Sequence, residues 1–168
     1  IQAAGRDMEA VIDAFLILAR DADVQPQGEE FRVREVIAEE VERVEPLLAG
    51  KPVELRVTGD ADPVLSAPRR VLGVMVGNLL RNACVFTAEG TVEVEVADDR
   101  VTIRDSGIGM SPGTLQRVFD PFSRADQFRG GGKGMGLSIV RRLGERFGWP
   151  VKLESTEGRG TVAEIRFG

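Results

Sequence analysis

The sequence predicts an α/β two-layer sandwich, a mixed β-sheet with helices packed on one face. Three observations point there. Segments with helical apolar spacing alternate with short segments of period two. Two stretches, 91–104 and 151–167, read as strand–turn–strand hairpins. The balance of 42% hydrophobic and 29% charged residues over 168 residues is that of a folded globular chain.

Each element follows from local pattern. In residues 7–20, Met8, Val11, Ile12, Phe15 and Leu16 repeat at helical spacing, with an apolar stripe wider than a lone surface helix needs. This segment is expected to be the end of a longer helix packed on a partner helix outside the chain. Pro26 and Gly28 mark residues 21–30 as a linker. Residues 31–34 are expected as a short strand. Residues 36–48 form an amphipathic helix, with Val36, Ile37, Val41, Val44 and Leu48 on one side and Glu39, Glu40, Glu42 and Arg43 on the other. Gly50 ends that helix. Residues 53–57 alternate as a half-buried strand, and 63–66 are a short extended piece. Pro68 opens a long helix to about Phe86, with proline in its first turn. Thr91–Ala97 and Arg100–Arg104 are strands joined at Asp98-Asp99. Ser111-Pro112 opens a short helix over 112–119, and 120–134 is an irregular glycine-rich loop. Residues 136–147 are helical, stopped by Gly148 and Pro150, and strands at 151–155 and 161–167 close the chain.

Composition excludes several chemistries. There is no histidine, so a His-based triad, His acid–base catalysis and His-ligated zinc are ruled out. A single cysteine allows no intrachain disulfide and suits a reducing compartment. The net charge of −5 argues against a surface built for nucleic acid. No apolar run reaches membrane-spanning length. Of the 20 glycines, eight fall between residues 105 and 136, which suggests backbone brought close to a ligand.

Three constellations could carry chemistry. Asn78 and Asn82 stand at i, i+4 in an otherwise apolar helix. They read either as solvated amides or as oxygens for a hard cation or a phosphate. Asp105-Ser106-Gly107-Ile108-Gly109 follows a strand. It reads either as an Asx turn or as a carboxylate that accepts from an exocyclic amine beside backbone open to a planar ring. Gly130 to Leu137, which includes Gly132, Lys133, Gly134, Met135 and Gly136, runs into a helix and forms an anion cradle of glycine N–H groups and helix dipole, with a flexible linker as the other reading. It lacks the GxxxxGK[ST] pattern and does not follow a strand.

NxxxN on a helix, DxGxG after a hairpin, FDPF at Phe119–Phe122, GxGxG at Gly132–Gly136 and the closing Gly160-Thr161 occur in one order and spacing. Over residues 31–168 the chain resembles the sensor histidine kinase catalytic ATP-binding domain, within the gyrase, Hsp90, histidine kinase and MutL superfamily. Residues 1–22 are similar to the end of the dimerisation and phosphotransfer helix, with 23–30 as linker. The resemblance implies a Bergerat-type fold with three helices on one face of the sheet, and Mg²⁺ and ATP as cofactors. It implies Asn82 as Mg²⁺ ligand and Asn78 at the phosphates. Asp105 would receive the adenine amino group, with Gly107 and Gly109 letting the base approach. Gly132, Gly134 and Gly136 would form the lid's hinge and phosphate cradle. Phe119, Phe122 and Arg124 would shape the lid and its docking, and Thr161 would line the adenine pocket. The implied partners are the kinase's own phosphotransfer helices and a response regulator. The parent is expected to be a membrane-linked homodimer with this portion cytoplasmic, and the fragment itself a monomer.

Two departures from the family pattern matter. Val85 stands where such kinases carry a basic residue, and Lys133 is a candidate replacement. No phosphoacceptor His is present, so the chain is expected to be a piece of a larger kinase. Hydrolases of the superfamily place a Glu general base where this chain has Asn78, and an amide cannot take a proton from water. Phosphoryl transfer to a His elsewhere is therefore the first reading, and a non-catalytic nucleotide-sensing module the second. A serine kinase of the anti-sigma type fits the N-terminal helix poorly. Cys84 is read as packing, and Trp149 as a cap on the last helix–strand corner.

Overall fold

The computed structural model describes residues 28–119 and 136–167. The expected N-terminal helix, Phe122, Arg124, Gly132, Lys133, Gly134 and Met135 lie outside the described residues. Strand β1 (Glu29–Arg32) begins two residues earlier than expected and pairs antiparallel with β3 (Val64–Ala67) in a small separate sheet. Helix α1 (Val33–Val44) starts where the sequence suggested strand. The reason is non-local. Pro63 and Asp62, distant in the chain, accept the first helical amides: Val33 N–H donates to the Pro63 carbonyl at 3.0 Å and Arg34 N–H to Asp62 Oδ1 at 3.2 Å. Pro46 has no amide to continue the α pattern, so Glu45–Leu48 tightens into a 3₁₀ turn, followed by Gly50 at φ +78°.

The main sheet has the order β2 (Val53–Thr58), β4 (Gly90–Val96), β5 (Arg100–Asp105), β7 (Gly160–Arg166), β6 (Val151–Thr156). β2 and β4 are parallel and the other pairs antiparallel, so the sheet is mixed. Period-two patterning separates its faces. Val92, Val94 and Val96 are buried, while Glu93 and Glu95 point away and pair with Arg104 at 3.3 and 3.7 Å. The described helices cover the apolar face. Central helix α2 (Arg69–Val85) buries Leu72, Met75, Val76, Leu79, Leu80 and Ala83, and packs against α1 and α4 (Gly136–Phe147). A short helix, α3 (Pro112–Arg117), is capped by Ser111, whose Oγ accepts from Thr114 N–H. Together these form the α/β sandwich that the sequence predicts.

Three local expectations change. Pro68 is the N-cap of α2, one residue before its first turn. Strand β6 extends one residue further and β7 begins at Gly160. Glu40, placed among solvent-facing residues by periodicity, is only 7% exposed. It points at α2, where Gly73 and Gly77 leave room: a Cβ on Gly77 would stand 2.7 Å from Glu40 Oε2. Arg43 donates to Glu40 Oε1 at 3.0 Å, yet burial still pushes the carboxyl above its usual range. Cys84 is fully buried in the core and its thiol is pushed up to about 11, which fits packing. Trp149 closes the α4–β6 corner: its N–H donates to the Gly144 carbonyl at 2.7 Å, and its ring meets those of Phe147 and Phe167.

Candidate functional site

A cavity opens between α2, α4 and the ends of β5, β6 and β7. Its wall brings together Asn82, Asp105, Gly109, Leu137 and Thr161 with the apolar side chains of Leu79, Ile103, Met110 and Leu153. Five residues singled out from sequence therefore meet, contributed by two helices, two strands and a loop. The lining is apolar with a few convergent polar groups, which is the character of a small-molecule site.

Asp105 ends β5 directly opposite Thr161 on β7. Its Oδ1 accepts from Gly107 N–H at 3.0 Å, and the Thr161 amide acts on the carboxyl from the neighbouring strand. Burial raises the Asp105 carboxyl above its ordinary range, and the two amides pull it back down. The group is thus held as an oriented acceptor at the polar end of an apolar hole.

Gly107 and Gly109 are required by the protein's own packing. A Cβ on Gly107 would stand 2.3 Å from the Phe86 carbonyl oxygen, and one on Gly109 would stand 2.0 Å from that of Thr156. Gly109 also has φ +65°. The loop is pinned on both sides, Ile108 N–H donating to Phe86 at 3.2 Å and Gly158 N–H to Ile108 at 2.7 Å.

The two asparagines occupy different walls. Asn82 lines the cavity. Asn78, one turn earlier, lines the adjoining α1–α2 groove, and its Nδ2 donates to the Val74 carbonyl at 2.8 Å. That bond turns Oδ1 toward the start of α4, where a Cβ on Gly136 would lie 3.3 Å away. Leu137 follows as the first buried residue of α4 and lines the cavity. Val85 is half-buried at the end of α2. Phe119 packs on the core with the Arg141 guanidinium 5.2 Å from its ring centre. No cluster of three metal-binding His, Cys, Asp or Glu side chains occurs among the described residues.

Sequence reasoning missed Ser155 and Ser106. Ser155 Oγ touches Met110, Gly160 and Thr161, and Ser106 Oγ accepts from Thr91 N–H at 2.9 Å. The one sequence trace of Ser155 is alternation with Val151 and Leu153 on the inward side of β6, which does not tell what the hydroxyl meets.

Residues 68–168 match the family described as "Histidine kinase-, DNA gyrase B-, and HSP90-like ATPase". The chain is 32% identical over 164 residues to sensor protein TorS of Escherichia coli K12, covering 93% of this chain and 18% of TorS. It is 32% identical over 145 residues to sensor protein GacS of Pseudomonas syringae pv. syringae, covering 78% of this chain and 16% of GacS. It therefore spans less than a fifth of either relative. The crystal structure of full-length ShkA in complex with AMPPNP shares the fold, with a TM-score of 0.77 at 24% identity over 96% of this chain and 37% of ShkA. With the motifs in order and residues 68–168 matched, the chain belongs to the histidine kinase-, DNA gyrase B- and HSP90-like ATPase family.

Proposed function

We propose that this chain is the ATP-binding catalytic domain of a sensor histidine kinase, which positions Mg-ATP for phosphoryl transfer to a His outside the chain. The observation that carries the reading is the convergence of Asp105, Thr161, Asn82 and Leu137 on one apolar cavity. An oriented, half-buried carboxylate suits the exocyclic amine of adenine, and the apolar walls suit the ring faces. Asn82 stands on the helix wall of the same cavity, and its amide oxygen is a hard donor suited to Mg²⁺, which binds through few protein ligands. Gly136 and Leu137 open α4, whose N-terminal N–H groups would favour the phosphates. From the family pattern, Gly132, Lys133, Gly134, Met135 and Arg124 complete the lid over them.

Bound Mg²⁺ would neutralise phosphate charge. The chain's own residues bind and orient the nucleotide. Asn78 is an amide with its nitrogen bonded to Val74, so it supplies no base for water, and the acceptor nucleophile comes from another segment. TorS and GacS are named sensor proteins, which favours a kinase over a hydrolase. The parent then works with a response regulator, as a membrane-linked homodimer with this domain on the cytoplasmic side. No helix among the described residues is long and apolar enough to cross a membrane. A non-catalytic nucleotide-sensing module is the second reading, favoured by Val85. Incubation with Mg-ATP and a separately supplied phosphotransfer helix pair decides between them. Transfer of labelled phosphate to its His supports the kinase. ATP binding without transfer favours the sensing module.

A further inference from the structure

Thr161 has a neighbour that decides how its hydroxyl can be used. Ser155 Oγ lies 2.8 Å from Met110 N, 3.0 Å from the Gly160 carbonyl oxygen and 2.8 Å from Thr161 Oγ1. A serine hydroxyl has one hydrogen and two acceptor sites. Met110 N–H can only donate and the Gly160 carbonyl can only accept. One assignment satisfies all three contacts: Ser155 donates to Gly160, and Met110 N–H and the Thr161 hydroxyl both donate to Ser155. The single hydrogen of Thr161 is then engaged with Ser155, and only lone pairs remain for the cavity that Thr161 lines. Across the strand pair stands the Asp105 carboxylate, also an acceptor.

We infer that Ser155 is a specificity-determining residue that acts through Thr161: it makes the Thr161 hydroxyl an obligate acceptor, so the cavity takes a ring edge bearing an amino group and rejects one bearing an oxo group. An amino group carries hydrogens for acceptors on both sides. An oxo group brings a lone pair against each of them, and buried acceptors left without donors weaken binding. Ser155 itself needs no contact with the base. The inference rests on the proposed nucleotide site and adds how that site discriminates among purines.

The test is calorimetric titration of the 168-residue chain with ATP and with inosine triphosphate, which carries a 6-oxo group in place of the amine. The native chain prefers ATP. Ser155→Ala releases the Thr161 hydroxyl to rotate and donate, so the ATP-to-inosine preference falls about three- to tenfold. Ser155→Thr keeps a hydroxyl and keeps the preference. In a Thr161→Val background, Ser155→Ala leaves the ratio unchanged, because the group it acts through is gone. Should Ser155→Ala not fold, Ser155→Cys, a weak donor of similar size, carries the same expectation. A folded Ser155→Ala or Ser155→Cys variant that retains the native ratio, or that shifts it equally with and without the Thr161 hydroxyl, overturns the inference while the nucleotide site stands. A native chain that binds both nucleotides equally overturns the adenine assignment itself, and this inference with it.

Discussion

Asp105 and Thr161 are cross-strand partners, and the Asp105 carboxylate is held by Gly107, whose N–H donates to its Oδ1 at 3.0 Å. Gly160, beside Thr161, has φ +121°, and a Cβ there would lie 1.9 Å from the Asp105 carbonyl oxygen. The start of β7 is thus built against the end of β5. The carboxylate is oriented by its own loop, and the strand end that carries it is fixed against β7, so it meets a ligand without first having to be ordered.

Asp105→Asn tests that orientation. The amide keeps one acceptor and adds two hydrogens where an acceptor faced the cavity. Affinity for ATP should fall by about tenfold, while GTP affinity falls less or rises. Direct titration of both nucleotides on the native chain and the variant measures it. Equal losses for the two would remove Asp105 from base recognition.

Gly109→Ala and Gly50→Ala separate crowding from backbone strain. Both glycines have positive φ, but a Cβ at Gly50 meets nothing within 4 Å, whereas one at Gly109 would stand 2.0 Å from the Thr156 carbonyl oxygen. Gly50→Ala should cost about 1 kcal/mol. Gly109→Ala should cost about 3 kcal/mol or more, because backbone must move. Urea unfolding of both variants gives the comparison, and similar costs would show that the 107–109 loop adjusts freely.

Glu40 makes stability depend on pH. Its carboxyl is raised by burial against α2, opposed by Arg43, while Glu39 adds to the rise. The folded state therefore binds this proton more tightly than the unfolded chain, so the contribution is present below the ordinary Glu value of about 4.3 and is lost as pH rises through the raised one. Relative to Glu40→Gln, the native chain should gain stability as pH falls from 7 toward 5. Melting temperatures of the pair at both values check the sign. A difference that does not change with pH would mean that Glu40 titrates normally.

Asn82→Ala tests the cation. If the Asn82 amide holds Mg²⁺ beside the phosphates, adding Mg²⁺ should strengthen ATP binding to the native chain, and the variant should lose about tenfold of that gain. Adenosine, which has no phosphates, should bind both alike. Titrations with and without Mg²⁺ supply the four values. An undiminished Mg²⁺ effect in the variant would place the ion elsewhere.

Asp105 and Gly109 were legible because a carboxylate and glycines directly after a strand interrupt an otherwise regular pattern, and Thr161 was reached through the family resemblance. Ser155 was not. A serine at an inward strand position looks alike whether it faces solvent or three hydrogen-bonding neighbours, and those neighbours come from a loop and another strand. Asn78 and Asn82 share a helix face by spacing, yet one lines the cavity and the other the groove beside α1. Spacing gives an angle about one helix, and cannot say which neighbour fills the space at that angle.

Periodicity, turn residues and proline positions were enough for the order and type of nearly every described element, since each depends on interactions a few residues apart. The start of α1, the inward turn of Glu40 and the Ser155–Thr161 pair depended on packing. Pro63 and Asp62 accept the amides that open α1. Gly73 and Gly77 of α2 make room for the Glu40 carboxylate. The β6–β7 register sets Ser155 opposite Thr161. Each of these joins groups from different elements, and the local pattern of one element carries no information about the partner that the fold brings to it.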